Sequence, residues 1–211
     1  MPKPNFLLVL SDEHQKYVAG CYGNPQNVTP NLDALAERGT LFSRAYTTCP
    51  ICVPARASLA TGKYVHEIGN WDNAFPYNGI ERSWHHEVRD EGLTVDLIGK
   101  LHFRSEEDDN GFSNEIQPLH VVRGVGDPLG CMRDNPVLRT RRGGINSAGE
   151  GDTTYQQYDI KNADEAIKWL EQHKDDERPW ILFLSFVCPH PPYKVKKEYL
   201  DKFDPEELPR P

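Results

Sequence analysis

Long hydrophobic runs are missing from this chain of 211 residues. The apolar run near its amino terminus, Phe6–Leu10, gives way at once to Ser11, Asp12 and Glu13, too short for the core of a signal peptide or for a membrane span. A cytoplasmic protein with no membrane partner is expected. Positive charge is also in deficit. The 24 Lys and Arg against 32 Asp and Glu give a formal charge of -8, so long-range repulsion opposes nucleic acid or an anionic membrane as a bulk partner. A local basic pocket for a small anion stays open. A disulfide framework is lacking too: Cys21, Cys49, Cys52, Cys131 and Cys188 are odd in number and irregular in spacing, which fits reduced thiols, most of them buried as small apolar residues. No internal repeat is present.

What the chain does have is the patterning of an α/β protein. Asn5–Leu10 reads as a fully buried strand that delivers Asp12, Glu13 and His14 to its carboxyl end, where open α/β sheets place their ligands. Thr29, Pro30 and Gly39 bracket a helix of about ten residues, with Thr29 as N-cap. A strand is expected over Thr40–Tyr46, a helix over Pro54–Thr61 ended by Gly62, and a helix over Ser83–Glu91. Thr94–Ile98 reads as a strand followed by a turn at Gly99-Lys100-Leu101-His102. The polar, glycine-rich stretch from Ser105 to Gly151 reads as long loops with short strands. Ile160, Ala163, Ile167 and Leu170 recur at helical spacing within Tyr155–Lys174, and Trp180–Val187 is a second buried strand. The terminal FDPEELPRP has the composition of a loop. Strands and helices alternate, so one α/β domain with a largely parallel sheet is expected.

The chemistry concentrates in AYTTCPICVPARAS, residues 45–58. Cys49 and Cys52 have the spacing of a redox pair lying between a strand and a helix. With His66 they also supply three zinc ligands, though without the spacing of a finger. Neither reading has a use for Pro54 and Arg56.

Cys52-x-Pro54-x-Arg56, followed by Ala57-Ser58-Leu59-x-Thr61-Gly62, resembles the signature of the sulfatases, a branch of the alkaline phosphatase superfamily. Asn5–Asp12 is similar to that family's first strand with its metal-binding aspartate, and Cys21-Tyr22-Gly23 and Thr29–Asp33 to the segments that follow it. Gly99-Lys100-Leu101-His102 resembles its Gly-Lys-x-His turn, and Pro189–Tyr193 its later histidine loop. Trp71-Asp72-Asn73-Ala74, after Thr61–Tyr64, is nearest to choline-sulfatase-like and phosphonate-monoester-hydrolase-like members. The resemblance implies an alkaline-phosphatase-like sandwich with helices flanking a parallel central sheet. It also implies conversion of Cys52 to formylglycine by a formylglycine-generating enzyme. No Asp-His-Gly, which holds further metal ligands in this family, occurs here. Residues 1–211 are therefore expected to be the N-terminal part of the catalytic domain, inactive by themselves.

The same residues make chemical sense as one site. Hydrolysing a sulfate or phosphate ester takes a positioned nucleophile, cations on the non-bridging oxygens and a proton for the leaving oxygen. Cys52 is the expected nucleophile and a metal ligand; Asp12 and Glu13 are oxygen ligands suited to Ca²⁺, with Mn²⁺ or Mg²⁺ as alternatives. Arg56 is expected to orient Cys52 and help neutralise the anion, with Lys100 and Asn73 on the ester oxygens. His102 is the expected proton acceptor and His190 the acid at the leaving group. Taken singly these are ordinary residues: Asp12 a helix cap, Asn73 a turn former, the histidines packing groups. Their combination points to a hydrolase of small-molecule sulfate esters. A phosphonate or phosphate ester hydrolase of the same fold is the alternative, and a non-catalytic or Cys49–Cys52 redox module the alternative of another class. An uncovered sheet edge also makes a homo-oligomer an expectation.

Overall fold

A computed structural model describes residues 4–26, 29–125, 148–204 and 206. In chain order the elements are β1 (Phe6–Ser11), α1 (Pro30–Arg38), α2 (Cys52–Thr61), α3 (Val65–Ile68), α4 (Trp84–Asp90), β2 (Thr94–Lys100), β3 (Asn114–Leu119), β4 (Gly149–Glu150), α5 (Thr154–His173), β5 (Trp180–Phe186), β6 (Lys194–Val195) and α6 (Lys197–Leu200). The described residues divide into two units, one drawn from 1–12, 47–141 and 154–188, the other from 13–46, 142–153 and 189–211.

The first unit is built on a four-stranded, wholly parallel sheet in the order β1-β5-β2-β3. Side chains of a strand alternate between faces, and both faces of β2 and β5 are covered. Val95, Leu97 and Phe183 pack on one side with Ala57 and Ala60 of α2, Tyr77, Phe103 and Phe112, flanked by Trp84 and Val88 of α4. Ile98, Leu182 and Leu184 pack on the other with Ala166 and Trp169 of α5. Each fully buried Leu or Ile contributes about 1.5–3 kcal/mol. Asp96, buried on the α5 side, accepts hydrogen bonds from Trp169 Nε1 (2.9 Å) and Asn114 Nδ2 (2.9 Å), so its carboxylate is satisfied between helix and sheet.

Several expectations need correction. The first strand forms, but it lies at the sheet's edge: Phe6 is 52% and Val9 54% exposed, because an edge strand has a ladder partner on one side only. Thr40–Tyr46 is not a strand; it finds no ladder partner, and Leu41, Phe42 and Tyr46 are exposed. β2 continues through Gly99 and Lys100, so the expected turn begins two residues later than its glycine suggests. One short strand of the kind allowed for within the stretch read as long loops is β3, six residues long; its Pro118 is tolerated because β3 is an edge strand. The rest of that stretch from 126 to 147, with Cys131, and residues 205 and 207–211 of the tail lie outside the described residues. α5 exists as expected, but its buried face is Asp159, Asn162, Ala166 and Trp169, while Ile160 and Ile167 point outward.

In the second unit Thr29 stands at the N-cap position of α1, as expected, but its side chain makes no capping hydrogen bond to the helix. Its hydroxyl accepts from the Gly20 amide and donates to Asp33 Oδ1, which also accepts from the Cys21 amide. β4 and β6 form a two-stranded parallel pair. Among the described residues, no helix is long and apolar enough to cross a membrane.

Ser83 caps α4 by a reciprocal exchange with His86, and this places the neighbouring His85 in the core against Phe112, ring centroids 4.1 Å apart. Burial pushes the His85 imidazole down to about 3 from its ordinary 6.5. On acidification the unfolded chain therefore takes up the proton first. The stability tied to the neutral ring is complete above 6.5 and is lost as pH falls from there toward 3, with roughly 2–3 kcal/mol gone by about pH 4.5. The His85 ring protons are expected to show no NMR titration between about pH 8 and 4.5; a midpoint near 6 contradicts this placement.

Candidate active site

The carboxyl ends of β1, β5 and β2 meet the first turn of α2. The rise of β1 carries the chain to Asp12, which is 9% exposed. Asp12 Oδ2 accepts from Arg56 Nη2 at 3.2 Å and from Lys100 Nζ, while Oδ1 lies 3.9 Å from Cys52 Sγ. Burial by itself would raise the Asp12 carboxyl, but the Lys100 and Arg56 charges outweigh it and hold the group below its ordinary value. Burial draws Arg56 down, against the pull of Asp12, yet a guanidinium starts so high that it keeps its charge. Two cations against one carboxylate leave an excess of positive charge, and Cys52, the first residue of α2, sits beside it at the helix's positive end. That is a setting for an anion.

Helix α2 has no cap of its own: Ile51 offers no side-chain acceptor. Asn73 supplies one from a distant loop, its Oδ1 accepting from the Val53 amide at 3.0 Å, and Asp72 shapes that loop by accepting from the Ala74 amide. The carbonyl of Asn73 is thus committed to the helix that carries Cys52. Arg56 and Lys100 are only 6% and 3% exposed. Arg56 Nη1 donates to the Lys100 carbonyl at 2.6 Å and to Ser185 Oγ at 3.0 Å. Together with Asp12, these contacts make Arg56 a clip between helix and sheet.

Lys100 comes this close because of Gly99. Its φ is +102°, and a Cβ there would meet the Ser185 carbonyl oxygen at 2.1 Å, so only glycine lets β2 approach β5 at this point. His102 follows with φ 61° and donates its backbone N–H to the Leu119 carbonyl at 2.7 Å, which ties the end of β2 to the end of β3. Asp159 closes the same end of the sheet: its carboxylate accepts from the Val187 and Cys188 amides, the shortest contact being 2.7 Å. Burial, then the neighbouring Asp159, push the Cys188 thiol up to about 12, so it stays protonated at neutral pH.

Asp12, Cys52, Arg56 and Lys100 are therefore brought together, with Asn73 at the base of α2 and His102 two residues beyond Lys100. Glu13 and His190 belong to the second unit, where Glu13 has φ 59° and its Oε1 lies 3.8 Å from His190 Nε2. His190 Nδ1 donates to the Pro191 carbonyl at 2.8 Å, leaving Nε2 on the Glu13 side. Cys49 and Cys52 are not joined by a disulfide. Among the described residues, Cys49, Cys52 and His66 do not gather as a metal-ligand trio. Sequence reasoning missed Ser185 and Asp159. Their signals were a lone serine inside an apolar strand and a carboxylate on the same helix face as Ala166 and Trp169.

A family model described as Sulfatase matches residues 4–209. The chain belongs to the sulfatase family. The uncharacterized sulfatase YidJ of Escherichia coli (strain K12) is 32% identical over 212 residues, covering 96% of this chain and 42% of its own length. The choline-sulfatase of Rhizobium meliloti (strain 1021) is 30% identical over 217 residues, covering 96% and 41%. The crystal structure of the phosphonate monoester hydrolase of Agrobacterium radiobacter matches with a TM-score of 0.72 at 23% identity, covering 99% of this chain and 45% of its own. That likeness is one of fold, and it bears out the alkaline-phosphatase-like architecture around a parallel sheet. This sulfatase-family chain spans about two-fifths of the length of the curated relatives it matches.

Gly99→Ala is expected to destabilise the protein by about 2–4 kcal/mol, since it adds a backbone clash to a positive φ. Urea unfolding measures this directly; a change below about 0.5 kcal/mol contradicts the close approach of β2 and β5.

Proposed function

We propose that this chain carries the nucleophile of a sulfuric ester hydrolase acting on small-molecule sulfate esters, with Cys52 matured to formylglycine by a formylglycine-generating enzyme in the cytoplasm. The observation that carries the reading is the position of Cys52 in the first turn of α2, 3.9 Å from Asp12 Oδ1 and beside the Arg56 and Lys100 cations. The curated relatives supply the substrate class, since they are named as sulfatases and, in one case, as a choline-sulfatase.

The donor set suits a hard divalent cation. Asp12 sits at a strand end with one carboxylate oxygen held by the two cations and the other turned to Cys52, and oxygen ligands of this kind fit Ca²⁺, Mn²⁺ or Mg²⁺. Asp12 and Glu13 would hold the metal, which would draw charge from the sulfate oxygens as sulfur is attacked. As formylglycine, Cys52 would supply a hydrated aldehyde, one hydroxyl attacking sulfur and the other later expelling sulfate.

The remaining residues place charge and protons. Lys100, held at the end of β2, neutralises a non-bridging oxygen, and the Asn73 amide nitrogen, on the far side of its capping carbonyl, donates to another. His190 gives the leaving alcohol its proton through Nε2, because Nδ1 is committed to the Pro191 carbonyl. His102 takes the proton released when sulfate leaves.

The full-length protein is expected to release sulfate from an aryl sulfate. Cys52→Ala is expected to lower kcat by roughly 10³-fold or more, as for removal of a covalent nucleophile. Retained turnover in Cys52→Ala sinks the proposal. Faster hydrolysis of the matching aryl phosphonate monoester moves the substrate class to phosphonates while leaving the residue roles in place.

A further inference from the structure

Ser185 lies on β5 opposite Leu10 of β1 and Gly99 of β2. In this row across the sheet it is the single polar side chain, fully buried, between a leucine and a residue with no side chain at all. Taking a hydroxyl out of water is unfavourable unless it finds a partner, and the partner here is a cation: Ser185 Oγ accepts from Arg56 Nη1 at 3.0 Å. The other acceptors of that guanidinium are the Lys100 carbonyl and Asp12 Oδ2. The three contacts come from the three adjacent strand ends, with Ser185 on the middle strand. Without it, nothing on the middle strand sets the plane of the guanidinium, and the outer contact to Asp12 is no longer held in line.

We propose that Ser185 is a positioning residue of the reaction. Its hydroxyl fixes the plane of the Arg56 guanidinium, and through Arg56 it aligns the Asp12 carboxylate with the first turn of α2 that carries Cys52. This rests on the reading of Asp12 and Cys52 as metal ligand and nucleophile. The residue does not touch substrate. Its effect therefore falls on the chemical step, because a misaligned nucleophile still leaves Lys100 and Asn73 to hold the ester.

The test is Ser185→Ala in the full-length protein. Loss of one hydrogen bond to a buried charge is expected to lower kcat by about 10- to 100-fold with KM changed by less than about threefold. In a cycle with Arg56→Lys, which cannot reproduce the forked contacts, the double variant is expected to be no slower than Arg56→Lys alone, because Ser185 acts only through Arg56. Additive losses, or an unchanged kcat, overturn the proposal. A crystal structure of Ser185→Ala gives a readout independent of turnover: the guanidinium is expected to rotate out of hydrogen-bond distance of Asp12, and an unmoved Arg56 overturns the assignment. If the native protein releases no sulfate, the functional reading falls, while that structure still decides whether Ser185 holds Arg56.

Discussion

A carboxylate buried between two cations holds this site together. Asp12 is shielded from water, and its charge is sustained by Arg56 from α2 and Lys100 from β2. Removing one member of such a set leaves an uncompensated buried charge at a cost of about 3–5 kcal/mol. The surroundings follow from that constraint. Gly99 must lack a side chain so that β2 closes on β5, Asn73 must cap a helix with no cap of its own, and Ser185 must be polar in an otherwise apolar row.

The same charges that secure the first unit prepare it for chemistry. An excess of positive charge at the positive end of a helix is unfavourable for an isolated protein and favourable once an oxyanion arrives. Most of the cluster's charge is spent on structure: Arg56 faces inward to three strand ends, and the Asn73 carbonyl faces the helix. In the proposed reaction, the groups that would meet a substrate are held by groups that would not.

Much of this was legible in the sequence, and the gaps have physical causes. Cys52, Pro54, Arg56, Lys100 and Asp12 stand out because they fall in segments that resemble sulfatase motifs, and the structure brings Cys52, Arg56, Lys100 and Asp12 together. The strands at Phe6–Ser11 and Trp180–Phe186 were visible as apolar runs, but an apolar run does not reveal whether its strand has one neighbour or two, so the edge position of β1 was missed. Periodicity located α5 and misjudged its buried face. Asp159 and Asn162 face the sheet there, and Asp159 satisfies backbone amides at the end of β5, a role that hydrophobicity does not encode. Ser185 was hidden for the same reason: a small polar residue in a strand looks neutral until its partner, 129 positions away in the chain, is known.

The account stands on Cys52 being a converted nucleophile rather than an ordinary thiol. The most direct measurement is the mass of the tryptic peptide Ala45–Arg56 from protein made in its native host, taken before and after reduction. An aldehyde mass at Cys52 is the predicted result. Two intact thiols in catalytically active protein, or a reducible bridge between Cys49 and Cys52, would contradict it.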